Sequence, residues 1–471
     1  MRTTGSLVLA IGVWTACGGD PEMPDLMSRP SWDPTLPDAR ELGVRRGLAP
    51  ARGIIHLHSP FSHDACDGKP RNGDGTANEP CLQDLRAALC TTRQDFAAVT
   101  DHFDSMADED DFGKLFNMRA GDQPVMAGSD QIASRITCPD GHQLVLSIGS
   151  ENNLMPLMLD RHIPGTAAER RAMYDGTDAT AVAAFRDAGA RVFVAHAESK
   201  SIELLRATAP DGIEIYNLHA NIDPEIRRDF LGLDPDGAIT AAVEFADTQP
   251  GHPEPDLALL SFLVPNQPSI DRWHQLLGDG LRLPAVAGSD AHQNAIPIML
   301  ADGERGDSYR RVLRWFGNMV LVTDPKDPVQ IEAALAAGRV FAVFEMLGTP
   351  AGFDVRAVGD TATYELGDVV PLAAQATLKI DLPTVLGLDA RLPTPIVRAR
   401  VWWIEPGKVT LLAEEESTFS NQLNVRIGAT GAYRVEIAII PHHLGPYLGD
   451  LGTGIAEAEM PWIYASPIYV Q

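Results

Sequence analysis

Three features of this 471-residue chain predict an α/β fold, a barrel of parallel strands followed by a β-rich tail. Between about residues 51 and 345, short apolar runs alternate with helical patterns, as in parallel strands joined by crossover helices. From about residue 346 helical periodicity stops, and β-type runs follow one another between Gly and Pro turns. The chain is also long for a single hydrophobic core, which argues for two domains.

The elements read in order as follows. "RGIIHLH" (52–58) is strand-like. "CLQDLRAALCTTR" (81–93) is helical, with Leu82, Leu85 and Leu89 on one face. "DFAAVTDH" (95–102) and "LVLSIGSE" (144–151) are strands. "ATAVAAFRDAGA" (179–190) is a helix stopped by Gly189, and "RVFVAHAE" (191–198) and "GIEIYN" (212–217) are strands. A Pro- and Asp-rich insertion spans 230–265. "DRWHQLLGDG" (271–280) is a helix with a glycine stop, and "RLPAVAGSDAH" (282–292) is a strand. Beyond 345, "ATLKIDLP", "VRARVWWIEP", "LNVRIGATGAYRVEIAII" and "ASPIYVQ" predict a small antiparallel β-sandwich over 346–471.

The N-terminus, "MRTTGSLVLAIGVWTACGGD", carries one arginine and an apolar run from Leu7 to Trp14, too short to span a bilayer. It reads as an export signal over 1–17. Cys17, directly after Thr15-Ala16, resembles the lipobox of bacterial lipoproteins; the alternative is an ordinary signal peptide cut nearby. Six prolines between 18 and 50 forbid helix or central strand there. That segment is either a semi-rigid tether or a strap along the folded body. Lipid at Cys17 would leave Cys66, Cys81, Cys90 and Cys138, an even set able to form two disulfides in an oxidising compartment. Three connectivities are open, and Cys66–Cys81 with Cys90–Cys138 closes the shortest loops. The expected location is the cell envelope of a bacterium, with membrane contact through the N-terminal lipid alone.

With 64 acidic and 38 basic residues the formal charge is −26, which repels phosphate backbones and argues against nucleic acid as a partner. Apolar content of 45% fits a folded globular protein; the partner expected is a small-molecule substrate.

The strand ends carry the chemistry. His56 and His58 stand at i and i+2, so in a strand both imidazoles aim into one space. Asp101 and His102 end the next strand, followed by Glu151, then His196, then Asp290 and His292, again at i and i+2. Carboxyl ends of parallel strands meet in one crevice, which would gather these side chains in one pocket. Mixed imidazole and carboxylate donors suit Zn²⁺, Mn²⁺ or Fe²⁺. A carboxylate bridging two such ions, with a readily deprotonated water between them, would make a hydroxide able to attack phosphorus or a carbonyl carbon. Asp101 would orient His102 or another ligand, or cap the following turn. Glu214 and Asn217, at another strand end, would shape the pocket wall. His219, Lys200 and Arg135 are candidates for contact with a substrate anion. The loop containing Asp64, Asp67, Asn72 and Asp74 offers oxygen donors but lacks EF-hand spacing, and reads as a solvated, disulfide-stapled loop.

The ordered motifs "HLHSPFSHD", "VTDH", "GSE", "AHAE" and "GSDAH" resemble those of the PHP (polymerase and histidinol phosphatase) metal-dependent hydrolases, over roughly residues 51–345. The tail, with "GAYRVEI" and "PWIYASPIYV", resembles that of the carbaryl-hydrolase-like branch. The resemblance implies a distorted (β/α)7 barrel holding two or three divalent metals. It implies that His56, His58, Glu151 and Asp290 hold the first, that Glu151 bridges to a second also bound by His196, and that His63, His102 and His292 hold a third. Glu151, Asp290 and His196 would then be the catalytic residues. His63 stands where relatives carry an aspartate, a place that Asp64 could take. A histidine usual between Glu151 and His196 is missing nearby, leaving His162 as candidate and Asn153 as a weaker one. Glu214 and Asn217 match the family's E-x-x-N segment.

Three functions are consistent with these features: a phosphoesterase acting on a small phosphoester, a carbamate or carboxylic ester hydrolase, and a non-catalytic lipid-anchored binding protein with structural metals.

Overall fold

The computed structural model describes residues 29–471. The export signal over 1–17, Cys17 and the first part of the proline-rich segment lie outside the described residues. From Arg29 the chain runs as a strap along the body. Leu36, Ala39 and Leu42 are buried, and Trp32 Nε1 donates to Asp256 at 2.8 Å. A capping box at Asp38 and Glu41 starts the one-turn helix Ala39–Leu42.

The strands of the barrel are β1 (Ala49–Leu57), β2 (Phe96–Val99), β3 (Gln123–Ala127), β4 (Asp130–Thr137), β5 (Gln143–Ile148), β6 (Met155–Leu157), β7 (Arg191–Val194), β8 (Gly212–Asn217) and β9 (Ala285–Ala291). The sheet closes on itself. Among the described residues its parallel strands run in the order β5-β2-β1-β9-β8-β7. That is six, not the seven of a (β/α)7 barrel. The closing element is β6, which pairs antiparallel with β7. The chain after it bonds back to β5 through Leu159 N–H to Ile148 O at 2.7 Å. The reason is connection length. A parallel return needs a crossover of about a dozen residues, and only Gly149–Leu154 separates β5 from β6.

Strand alternation buries both faces. Ile55, Phe96, Ala98, Val145, Phe193 and Val286 form one apolar cluster. Ile54, Leu57, Ala97, Val99, Leu144 and Leu146 join the larger cluster beneath the helices. Gly53 is required by this packing, because a Cβ there would lie 2.1 Å from the Phe96 ring.

The tail is joined to the barrel by hydrogen bonds. The N-terminal half of β1 pairs antiparallel with β10 (Gly317–Val322), and β10 with β11 (Val340–Val343). Strand β11 then pairs with Met460–Ala465, and that strand with Gly431–Ile440. Ile396–Glu405 and Lys408–Glu416 complete this sheet. A second antiparallel sheet contains Asp354–Val358, Thr377–Asp381 and Gln422–Arg426. Where a small antiparallel sandwich is expected over 346–471, the tail has two sheets, one of them continuous with the barrel. Local periodicity shows the strands but not this long-range pairing.

Two disulfides form, Cys66–Cys81 and Cys90–Cys138, closing loops of 15 and 48 residues. In the chain-entropy account these stabilise by about 3 and about 4 kcal/mol. The junction between barrel and tail holds a fully buried ion pair, Arg52 to Glu345, bidentate at 2.7 and 2.8 Å. Arg52 also donates to the Pro37 carbonyl at 2.7 Å, which ties the strap in. Glu345→Ala would strand a buried guanidinium. It is expected to lower unfolding stability by about 3–5 kcal/mol, read from the urea midpoint at unchanged slope.

Candidate metal centre

The carboxyl ends of the parallel strands carry residues in an unusual backbone state. His56, His196 and Asp290 have φ of +61°, +48° and +51°. Left-handed backbone in non-glycine residues costs roughly 1–3 kcal/mol each and persists only where the surroundings enforce it. At His56 the register of β1 slips by a bulge against both β2 and β9. Simple i, i+2 alternation therefore does not bring His56 and His58 together. The bulge and the turn after Leu57 do so instead.

Imidazoles converge on one carboxylate, that of Asp290. His56, His58 and His292 place Nε2 at 3.3, 3.1 and 2.9 Å from its Oδ1. His196 Nε2 and His219 Nδ1 lie 3.0 and 3.4 Å from its Oδ2. Glu151 sits beside this group, with Oε2 2.7 Å from His102 Nδ1 and Oε1 4.0 Å from His196 Nε2. Asp64 Oδ2 is 3.2 Å from His102 Nε2 and 3.6 Å from His292 Nε2.

The far sides of the rings are held. His56 Nδ1 meets Glu214 Oε1 at 2.8 Å, His58 Nδ1 meets Ser62 Oγ at 2.9 Å, and His196 Nδ1 meets Glu198 Oε1 at 3.1 Å. Such contacts fix ring orientation and turn Nε2 toward the shared centre. Glu214 also accepts from the His196 backbone N–H at 2.9 Å and from Asn217 Nδ2 at 3.2 Å, and Asn217 donates to Asp290 at 3.3 Å. Gly288 makes room for this, since a Cβ there would lie 1.5 Å from Glu214 Oε1. Asp101 holds the loop after β1 by accepting from Ser59 N–H and Oγ–H at 2.6 and 2.8 Å, rather than orienting His102.

Ligand-type atoms lie within 4.8 Å of one another in four linked groups: His56–His196–Asp290, His56–His58–Glu151, His58–Asp290–His292 and His58–Asp64–His102. Nε2 of His56 and of His58 is buried and makes no hydrogen bond, despite the nearby carboxylate. A buried polar atom without a partner is costly; a cation between these rings and the carboxylates would satisfy both. The donor set and the two orphaned nitrogens therefore fit divalent metal.

Other expected residues fall elsewhere. His63 is more than half exposed and meets Asp104 at 3.1 Å, with its ring stacked on His102. Asp64 reaches the cluster instead, steered by Ser62 Oγ at 2.9 Å. His162 Nε2 lies 2.6 Å from the Glu109 carbonyl and joins none of the four groups. Arg135 donates to the Lys326 carbonyl, away from the cluster. Asp67 pairs with Arg305 and Asp74 bonds Thr76, so their loop gathers no oxygen cage. Glu198, buried under His196, was not assigned from sequence, although it stands at i+2 in the quoted "AHAE". A cleft of about 330 Å³ opens over the cluster, lined also by Lys200 and His219. A larger one, about 1150 Å³, is lined by the strap, the tail and barrel residues such as Arg86, Arg93 and Ile136, and contains none of the converging histidines.

Charge follows the geometry. Burial pushes His56 down, but Asp290 and Glu214 outweigh it and hold the imidazole up, at about 10. Asp64 and Glu151 likewise outweigh burial at His102, to about 11, and His196 is raised by Asp290 and Glu198. His58 falls to about 4, chiefly through burial, with the neighbouring imidazoles of His292 and His102 pushing the same way. Burial alone would raise Glu151; His102, His56 and His196 pull it down to about 2.

The chain matches no protein-family model and no curated protein. Among solved structures it is similar to a two-domain protein containing a predicted PHP-like metal-dependent phosphoesterase from Bacteroides vulgatus. Identity is 12%, the match covers 92% of this chain and 100% of that one, and the TM-score is 0.36. Overlap at that level does not establish a shared fold.

Without metal, folded His56, His102 and His196 hold protons that the unfolded chain sheds near pH 6.5. Their stabilisation is complete below 6.5 and is lost as pH rises toward 10. Metal binds neutral imidazole, the form the unfolded chain also has above 6.5, so metal-loaded protein should lose none of this stability over the same range. Urea unfolding across this window is expected to give stability that falls with pH in chelator and is nearly level with added Zn²⁺ or Mn²⁺; parallel falls in both would show that metal does not displace these protons.

Proposed function

We propose that this chain is a metal-dependent hydrolase, and specifically a phosphoesterase acting on a small phosphoester. The convergence of His56, His58, His196 and His292 on buried Asp290 carries the reading. His56, His58, Glu151 and Asp290 would hold one divalent ion. His196 would share these carboxylates in holding a second, and Asp64, His102 and His292 would hold a third. When bound, such ions supply Lewis acidity and a water acidified enough to be a nucleophile near neutral pH.

The chain's own residues supply the rest. Glu214, Ser62 and Glu198 fix the three ring orientations. Lys200 lines the cleft, its Nζ donating to Asn153 Oδ1 at 3.0 Å, and His219 lines it beside Asp290. The Lys200 ammonium beside a metal cluster favours a substrate bearing anionic oxygens, hence a phosphoester over a neutral carbamate or carboxylic ester. The two disulfides suit an oxidising compartment. With the "TAC" sequence ending at Cys17, this supports a lipid-anchored location in a bacterial cell envelope.

Purified protein is expected to hydrolyse nitrophenyl phosphate in a chelator-sensitive way and to leave naphthyl carbamate intact. The reverse preference would select the ester-hydrolase reading, and metal content without turnover of either would select the binding protein. His58→Ala should remove metal and hydrolysis together while the tail stays folded. Lys200→Ala should raise KM about tenfold, the loss of one charge-assisted hydrogen bond, with metal content unchanged. Cys17→Ser is expected to move the protein from the membrane fraction to the soluble one, and persistence in the membrane fraction would refute the lipid anchor.

A further inference from the structure

The cleft over the metal-ligand cluster has an apolar wall that the hydrolytic chemistry does not use. Ile226 and Phe230 line it together with the histidines and Lys200. They stand four residues apart on a short helical segment that passes into a π-helical turn, Arg227–Leu231, so both side chains lie on one face. π-helical turns are rare and recur at functional sites. This one is anchored from below. Buried Arg227 donates to the Asn221 carbonyl at 2.6 Å and to the Asp234 carbonyl at 2.9 Å. Asp223 caps the segment through the backbone N–H groups of Glu225 and Ile226. The anchoring holds Phe230 at the cleft mouth with 46% of its surface exposed. A lone exposed aromatic on an open surface calls for no explanation. An exposed ring fixed on the wall of a cleft, paired with a second apolar side chain, and facing a cation and a metal-ligand cluster, is shaped for a ligand with one anionic and one apolar end.

We infer that Ile226 and Phe230 form the leaving-group subsite, and that the substrate is a phosphoester of a flat, apolar alcohol, an aryl phosphoester in the simplest case. The inference rests on the phosphoesterase reading and narrows it. The phosphoryl oxygens would lie toward Lys200, His219 and the ligand cluster, and the ring against Phe230. In the reaction the oxygen of water bonds to phosphorus and the bond from phosphorus to the aryl oxygen breaks. The aryl alcohol leaves with one proton from that water, and inorganic phosphate remains for a monoester. An aryl leaving group is intrinsically reactive, so turnover alone does not report on this wall; binding does.

The test is calorimetric binding of two non-hydrolysable probes, phenylphosphonate and methylphosphonate, to Mn²⁺-loaded protein. Phenylphosphonate is expected to bind about tenfold tighter, the worth of one aromatic contact with its buried area. Phe230→Ala should erase the difference, Phe230→Tyr should retain it, and both should keep the wild-type metal content. Equal binding of the two probes, or a preference that survives Phe230→Ala, overturns the subsite. Failure of phenylphosphonate to bind also overturns it. The phosphoesterase reading is judged separately, by chelator-sensitive turnover of alkyl and aryl phosphates. Hydrolysis of both with equal binding of the two phosphonates removes the subsite and leaves the enzyme, whereas hydrolysis of neither removes both.

Discussion

A buried carboxylate ringed by imidazoles is the constraint on which the rest of this structure depends. Asp290 has almost no access to solvent, and desolvation alone would make its charged form expensive. Its oxygens instead face nitrogens from β1, from the turn after β7, from the chain beyond β8 and from the end of β9. No single element could supply that shell. Closure of a parallel barrel brings several strand ends to one place, so the fold is the means by which charge is concentrated there. Two ring nitrogens still lack hydrogen-bond partners, and protons or metal ions are the alternative ways of balancing the carboxylates.

Holding the cluster together carries a structural cost spread over the scaffold. Three of the converging residues adopt left-handed backbone, together a few kcal/mol of strain. Gly288 must lack a side chain so that Glu214 can reach His56. The Cys66–Cys81 disulfide closes the loop that follows Asp64, and the Cys66 N–H donates to the His292 carbonyl at 2.8 Å, so this staple and the ligand turns form one unit. On the opposite side, Arg52 and Glu345 bind strap, barrel and tail together. The tail's larger sheet runs on from β11, which gives the barrel a rigid flank rather than a flexible appendage.

Much of this was legible in the sequence, for definite reasons. Polar residues at the ends of apolar runs announced that His56, His58, Glu151, His196, Asp290 and His292 share a crevice, because parallel topology dictates which strand ends meet. The shortest-loop pairing also gives the disulfides that form. What stayed hidden is non-local or runs against propensity. Nothing in "GIIHLH" signals a bulge at His56, since β-type residues there argue for regular strand. His63 and Asp64 are neighbours of similar chemistry, and only the hydrogen bond from Ser62 and the course of the following loop decide which turns inward. That the described residues form six parallel strands and not seven follows from a six-residue connection, readable in principle but masked by an apolar run that suits either direction. The fusion of tail and barrel depends on pairing Phe341 with Ala465, which no local pattern encodes.

The central claim is that these side chains form a site for divalent cations built on Asp290. Its most direct measurement is the metal-to-protein ratio by elemental analysis, for wild type and Asp290→Asn, after equilibration with Zn²⁺, Mn²⁺ and Fe²⁺ and removal of loosely held ions. The account predicts about two or more divalent ions per wild-type chain, as a carboxylate-bridged cluster requires, and a marked loss in the folded variant. A wild-type chain that retains no ion, or a variant that retains the full complement, would contradict it.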